Sequence, residues 1–329
     1  MKWCLAGVVV LLCQAQQPLP PDPESLLARI RASVAENLSR LPNYTCTEIF
    51  QLSQKPPHTT KPSIVETIRV EVAYVEGREL FGWPGAAKID EPDIGKMVSG
   101  SVGNGYFGLF SKTIFTTPSA TFRNVDTEKL DGNQAIRYDY LVPQSSQAYR
   151  FTTELGQAAV GFHGSFWVDA ATLDLMRITV TADNPPLVLG ISSTSSVLDF
   201  AREKIGNSTF VLPRGAELVV VETEGGEGRQ RLSLQGCHQF IGESTLKFDE
   251  PSPGPAEVSA KPAPAVVALP EDFTVDFVLD TPIDSTTAAG GEPVQAILRD
   301  SVPLNGRSVV PKGARLSGRI AHLAMRGDL

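Results

Sequence analysis

Residues Phe162 to Val180, FHGSFWVDAATLDLMRITV, carry the reading of the fold. Phe162, Gly164 and Phe166 alternate with His163, Ser165 and Trp167, and the polar run Asp169-Ala-Ala-Thr172 supplies turn chemistry. Leu173, Leu175, Arg177 and Thr179 then alternate with Asp174, Met176, Ile178 and Val180. A period of two on both sides of a polar turn predicts a β-hairpin.

The same signal continues on both sides. Upstream, Ile68, Val70, Val72 and Tyr74 alternate with Arg69, Glu71 and Ala73, and Ile136, Tyr138, Tyr140 and Val142 share a face after an Asp131-Gly132-Asn133 turn. One buried and one wet face marks an antiparallel sheet. Further strands are expected at 44–52, 79–81, 113–117, 120–130 and 149–153. Beyond the hairpin they are expected at 197–205, 210–213, 217–223 and 229–237, with Gly225-Gly226-Glu227-Gly228 as a hairpin tip. Ahead of them lies one amphipathic helix from Asp22. Asp22 suits the N-cap and Pro23 the first helical position, and Leu26, Ile30, Val34 and Leu38 form a stripe that ends at Pro42-Asn43. The expected class is therefore α+β, an N-terminal helix covering the concave face of a curved antiparallel sheet. Residues 82–108 interrupt the pattern as a glycine-rich loop, with a short helix expected at 92–98.

Several segments lie outside this unit, which spans residues 22–249. Residues 1–15 read as a secretory signal peptide, with Lys2 before an apolar run from Trp3 to Cys13 that is too short to span a bilayer. Cleavage is the expectation. Lipidation of Cys13 is the rival, weakened by the Leu12 that precedes it. Residues 250–270 are a Pro/Ala-rich linker. Residues 271–329 form a small β unit, possible strands falling at 274–279, 293–300, 308–310 and 314–320.

Bulk composition narrows the function. A chain of 329 residues with 42% hydrophobic content can bury a substantial core, and its net charge of −8 argues against a nucleic-acid partner. With the signal peptide removed, Cys46 and Cys237 remain. In an oxidising compartment a disulfide between them is the expectation, and two separate buried thiols the alternative.

No catalytic constellation emerges, so the chain reads as non-enzymatic, with no cofactor and no metal. Gly103-x-Gly105-x-x-Gly108 matches dinucleotide-binding spacing but lacks the strand–turn–helix context that motif requires. Ser244-x-x-Lys247 falls in a strand-like stretch, where the penicillin-binding nucleophile would open a helix. The four histidines, His58, His163, His238 and His322, are too scattered to pair as ligands. Asp169 and Asp174 read as turn residues bonding their own backbone. Phe162, Phe166, Trp167 and Met176, with Tyr138 and Tyr140 on the neighbouring strand, are the candidates for lining an apolar pocket; core packing is the alternative.

Three pieces together resemble a family of secreted bacterial envelope proteins, abundant in acidobacteria and related to the outer-membrane lipoprotein-carrier fold. They are LLARIRASVAENLSRLPNYTCTE (26–48), GWPGAAKIDEPDIGKMVSGSVGNGYFGLFSKTIF (82–115) and GFHGSFWVDAATLDLMRI (161–178). The resemblance spans residues 26–248. It implies an open half-barrel with a helix lid and an apolar concavity for acyl chains, hence a lipid or lipoprotein as partner. The chain departs from such carriers in its cysteine pair, its long glycine-rich loop and its C-terminal unit. VDFVLDTPIDSTTAAGGEPVQAILRDSV (275–302) and VVPKGARLSGRI (309–320) resemble the β-module of the periplasmic barrel component of type IV secretion systems. That implies a second role, as an adaptor docking to an envelope complex, and confers no activity.

Overall fold

The computed structural model describes residues 22–61, 63–98, 108–240, 274–284, 287–304, 307–321 and 323. The signal-peptide and linker readings, Cys13, Gly103 and Gly105, the Ser244/Lys247 pair and His322 lie outside the described residues.

Helix α1 (Pro23–Arg40) begins where its cap predicts. The Asp22 carboxylate accepts from the Ser25 N–H, and Leu26, Ile30 and Val34 are buried. Strands β1 (Tyr44–Lys55), β2 (Ser63–Val75) and β3 (Arg78–Gly82) follow. A one-turn 3-10 helix at Ile94–Lys96 stands where a short helix was expected. Helix α2 (Leu109–Thr116) comes next. Then come β4 (Thr121–Leu130), β5 (Asn133–Val142), β6 (Tyr149–Thr153), β7 (Gly156–Asp169) and β8 (Leu175–Asp183). β9 (Ile191–Ile205), β10 (Ser208–Glu222) and β11 (Glu227–Gln239) complete the unit.

These strands form one eleven-stranded antiparallel sheet in the order β3-β2-β1-β11-β10-β9-β8-β7-β5-β4, with β6 paired to β7. The order explains the cysteines. The first and last strands lie side by side, and Cys46 is bonded to Cys237 where the β1–β11 register shifts between Thr45 and Thr47. Both helices pack on the inner face. The Arg31 guanidinium donates to the carbonyls of Phe115 (2.9 Å) and Thr117 (3.2 Å), joining α1 to the end of α2. Among the described residues, no helix is long and apolar enough to cross a membrane.

Three expectations need correction. The stretch 113–117 is not a strand but the end of α2. Phe110 and Ile114, and Ser111 and Phe115, are four apart and all buried, so packing of a helical face outweighs the β preference of Thr and Ile. A helix therefore does follow Gly108, but β4 after it is antiparallel to its neighbour β5, so among the described residues this helix is not the crossover of a βαβ unit. β10 runs unbroken through Pro213, a bulge at Arg214 absorbing what reads in sequence as a gap.

The opening hairpin is present with one irregularity. Phe166 pairs with Ile178 and Trp167 with Arg177, but Val168 then pairs with Leu175, so Met176 is the extra residue of a bulge. The bulge returns Leu175 to the inner face that a strict alternation would have denied it. Leu173, expected in the strand, occupies the turn at φ +62°.

The C-terminal unit consists of β12 (Phe277–Leu279), β13 (Pro293–Leu298), β14 (Val302–Leu304), β15 (Arg307–Val310) and β16 (Arg315–Arg319). β12-β13-β16 form one sheet and β14-β15 a hairpin, of which β14 was not foreseen. The unit is attached to the large sheet. β3 covers β2 only from Glu71 to Val75, and Gly290 takes up the open edge beyond, donating to the Thr67 carbonyl (2.8 Å) and accepting from the Arg69 N–H (2.9 Å). Arg69 is ion-paired with Glu292 and Arg319 donates to the Pro84 carbonyl at 2.7 Å, so backbone and charge act together at this junction.

Candidate functional site

Of the six residues proposed to line a pocket, four come together on the inner face. Phe166, Tyr138, Phe162 and Tyr140 are 0%, 1%, 1% and 3% exposed. Phe166 stacks on Tyr138 (5.4 Å between centroids, 8° between planes) and meets Phe115 of α2 edge-on at 4.8 Å. Phe162 is flanked edge-on by Phe110 and Tyr149. The two buried hydroxyls are both used: Tyr138 donates to the Pro23 carbonyl (3.1 Å) and Tyr140 to the Thr179 carbonyl (2.7 Å). These rings and the Phe110 and Phe115 rings of α2 pack in one buried cluster.

Trp167 and Met176 stand elsewhere. Trp167 follows Phe166 along the strand and so faces the other way. Its indole N–H donates to Glu128 Oε1, and the Arg137 guanidinium lies 5.5 Å from its ring centroid. Met176 sits half-buried in the bulge. Neither shares the surface of Phe166.

Open space occurs instead under the second half of α1, in a cavity of about 270 Å³ between that helix and β8–β10. Val34, Leu38, Leu175, Phe200, Phe210 and Val211 contribute apolar surface, and Asn37, Asp174, Arg202 and Thr209 polar groups. Its geometry follows from a gap in the sheet. β11 pairs with β10 only from Gly215 onward, which leaves the Val211 backbone without a strand on that side. The Asn37 side chain takes the strand's place, donating to the Val211 carbonyl and accepting from the Val211 N–H, both at 2.9 Å. One amide therefore ties this end of the helix to the sheet.

The β7–β8 turn forms one side of the cavity. Asp169 Oδ1 accepts from the N–H groups of Ala171 and Thr172, both at 2.9 Å, and these bonds, that of Thr172 first, hold its pKa below the ordinary carboxylate value. Asp169 is thus a turn residue, as its position implied. Asp174, at the end of the same turn, is ion-paired with Arg202 of β9 at 2.5 Å.

Outside the cavity, the outer face carries two polar groups of possible chemical interest. The Ser165 hydroxyl donates to Asp139 Oδ1 (2.6 Å), which Arg137 also contacts at 3.0 Å. Burial alone would raise the pKa of Asp139, but the hydrogen bonds from Ser165 and Arg137 prevail and lower it. His163 Nδ1 lies 2.6 Å from Asp183 Oδ1. Serine and histidine thus each engage a separate carboxylate. Among the described residues, no group of three or more His, Cys, Asp or Glu is placed to hold a metal.

One ionisable group does lie in the interior. Glu48, on the same face of β1 as Cys46 and Phe50, is 1% exposed, and its Oε2 has no hydrogen-bond partner among the described residues. Burial, with the Glu79 carboxylate second, pushes its pKa well above the ordinary value.

No family model matches the chain, and no curated protein matches it. Among solved structures, a domain from Vibrio parahaemolyticus described as outer membrane lipoprotein-sorting is 11% identical, covering 68% of this chain and 95% of that one at a TM-score of 0.39. A DUF1329 family protein from Desulfovibrio piger is 12% identical, with 68% and 95% coverage and a TM-score of 0.37. A LolA superfamily protein from Nitrosomonas europaea is 8% identical, with 67% and 94% coverage and a TM-score of 0.30. At such scores the likeness carries no functional weight.

The residues that line the cavity were only partly visible in the sequence. Val34 and Leu38 belong to the α1 stripe, but nothing local marks Phe200, Phe210 or Asn37, whose roles arise from where β10 loses its neighbour.

Proposed function

We propose that the chain is a non-enzymatic protein of the cell envelope that holds an apolar chain, such as an acyl chain of a lipid or lipoprotein, between α1 and the inner face of the sheet. The observation that carries this reading is the cavity of about 270 Å³ under an amphipathic helix whose second half is tied to β10 through the Asn37 amide. Ligand pockets commonly hold about 300–1,000 Å³. The cavity as it stands suits a short chain, and a longer one requires α1 to move outward. The signal-peptide reading of residues 1–15 supports export, and with it a periplasmic or secreted location.

The test is organic extraction and mass spectrometry of the mature chain, paired with titration of a fluorescent fatty acid. Extracted lipid and saturable binding are expected, and Leu38→Trp, which fills the cavity, should abolish both while leaving the melting temperature near that of the wild type. No extracted lipid and no saturable binding would refute the reading, as would binding that Leu38→Trp leaves intact.

A second reading, an adaptor that docks to an envelope complex through its C-terminal unit, is favoured by β12. This edge strand exposes Phe277, Val278 and Leu279 at 53%, 58% and 44%. Affinity capture with the mature chain, compared with Phe277→Ser/Leu279→Ser, tests it; identical captured sets would refute it.

A further inference from the structure

The most exposed large hydrophobic side chains among the described residues are gathered at one place. Val188, Leu187 and Leu155 are 73%, 71% and 67% exposed. Leu155 is at the tip of the β6–β7 hairpin, and Leu187 and Val188 form the turn between β8 and β9. The two tips touch, since a Cβ placed on Gly190 would lie 3.5 Å from Cδ1 of Leu155.

The display is built into the backbone. Pro185 and Pro186 lead into a one-turn 3-10 helix, Leu187–Leu189, closed by Leu189 N–H to the Pro186 carbonyl and Gly190 N–H to the Leu187 carbonyl, both at 2.9 Å. Leu189 turns inward and is 4% exposed, anchoring the turn, while Gly190 leaves it at φ +73°. The Gly190 carbonyl then accepts from Thr223 N–H (2.9 Å), tying the turn to the β10–β11 tip. Proline-set geometry, an inward anchor and three backbone bonds thus hold two adjacent aliphatic side chains in solvent.

The chemistry of the tips decides what they meet. A specific protein interface takes roughly 20–30 residues a side and draws its affinity from Trp, Tyr and Arg anchors in pockets. Here three aliphatic side chains project from convex tips, with no aromatic or arginine among residues 153–156, 184–190 and 222–226. Small protruding aliphatic groups suit a medium that needs no matching shape, such as hydrocarbon. The charge of the same loops selects among such media. They hold Glu154, Glu222 and Glu224 and no Lys or Arg, so an anionic surface would repel them.

We propose that the β6–β7 tip and the β8–β9 turn form a lipid-contact surface, in which Leu155, Leu187 and Val188 enter the acyl boundary of a bilayer whose head groups carry no net charge. The proposal stands apart from the cavity under α1, which is lined by different residues.

Flotation of the full mature chain with phosphatidylcholine vesicles tests it. The wild type should float, and floating should weaken when phosphatidylglycerol is mixed in. Leu187→Ser and Val188→Ser should each lower the partition coefficient about tenfold, from the free energy of burying an aliphatic side chain. Both should keep the wild-type melting temperature and still bind the fluorescent fatty acid, because the substituted groups are exposed and distant from the cavity lining. Val278→Ser, an equally aliphatic change in β12, should float like the wild type. Failure of the wild type to float would overturn the proposal. So would flotation unaffected by the tip substitutions, or a dimer in sedimentation that those substitutions dissolve, since the tips would then cover one another.

Discussion

Breaking the bond between Cys46 and Cys237 tests how the large sheet is held together. The two residues are 191 apart in sequence, and the segment between them contains nearly the whole sheet. A cross-link that closes so long a loop acts chiefly on the unfolded chain, and the chain-entropy relation gives about 5 kcal/mol for this separation. Measured values reach roughly 2–5 kcal/mol, because unfolded chains are already partly compact. Against a total stability of about 5–15 kcal/mol, loss of the bond removes a large share. Two perturbations separate its parts. Reduction of the wild type keeps both sulfur atoms and removes only the constraint. The double variant Cys46→Ala/Cys237→Ala also leaves a small void beside Cys46, which is 2% exposed, and should be the less stable of the two. Guanidinium unfolding should show a lower midpoint for both and a larger m-value, since the uncrosslinked chain exposes more surface when unfolded. Equal midpoints for oxidised and reduced wild type would refute the argument. An unchanged m-value would show that the bond acts on the folded state instead.

Other substitutions address the interior and the lid. Glu48 has its pKa raised in the folded protein, so its contribution to stability is fully present below the unfolded-state value of about 4.3 and is lost as pH rises through the folded-state value. Glu48→Gln, which cannot ionise, should therefore gain on the wild type as urea melts are moved from about pH 4 to about pH 8; a constant difference would be the contrary result. At Gly164 an added Cβ would collide with the Thr179 carbonyl oxygen, which is turned toward Tyr140. Gly164→Ala should cost at least about 2 kcal/mol in the same melts, and Tyr140→Phe about 1 kcal/mol, through one lost hydrogen bond. Asn37→Ala removes both bonds that fasten α1 to Val211, and stopped-flow release of the fluorescent fatty acid should accelerate severalfold; an unchanged rate would mean that the helix does not gate the cavity.

How far the sequence revealed this arrangement depended on how local each cause was. The Asp131-Gly132 turn was legible because two successive residues at φ +50° and +88° need that chemistry, and the α1 start because Asp22, Pro23 and Ser25 form a self-contained cap. The Cys46–Cys237 bond could be anticipated from counting, although its place, between the first and last strands of the sheet, could not. The helix at 109–116 was hidden because its β-branched residues favour a strand in isolation, and its burial against Phe162 and Phe166 is a property of distant partners.

The candidate site shows the same division more sharply. Aromatic residues at period two on adjacent strands have one local appearance whether they face a ligand or another element of the chain. Here α2, drawn from a stretch that reads as a strand in sequence, supplies Phe110 and Phe115 and packs them on Phe162 and Phe166. The open space then falls where β11 stops short of β10 and a side chain of α1 stands in for the missing strand. A cavity of this kind is set by strand length and pairing order rather than by the residues that line it. For that reason Asn37, an unremarkable position in the helix pattern, has the larger share in fixing how the space can open.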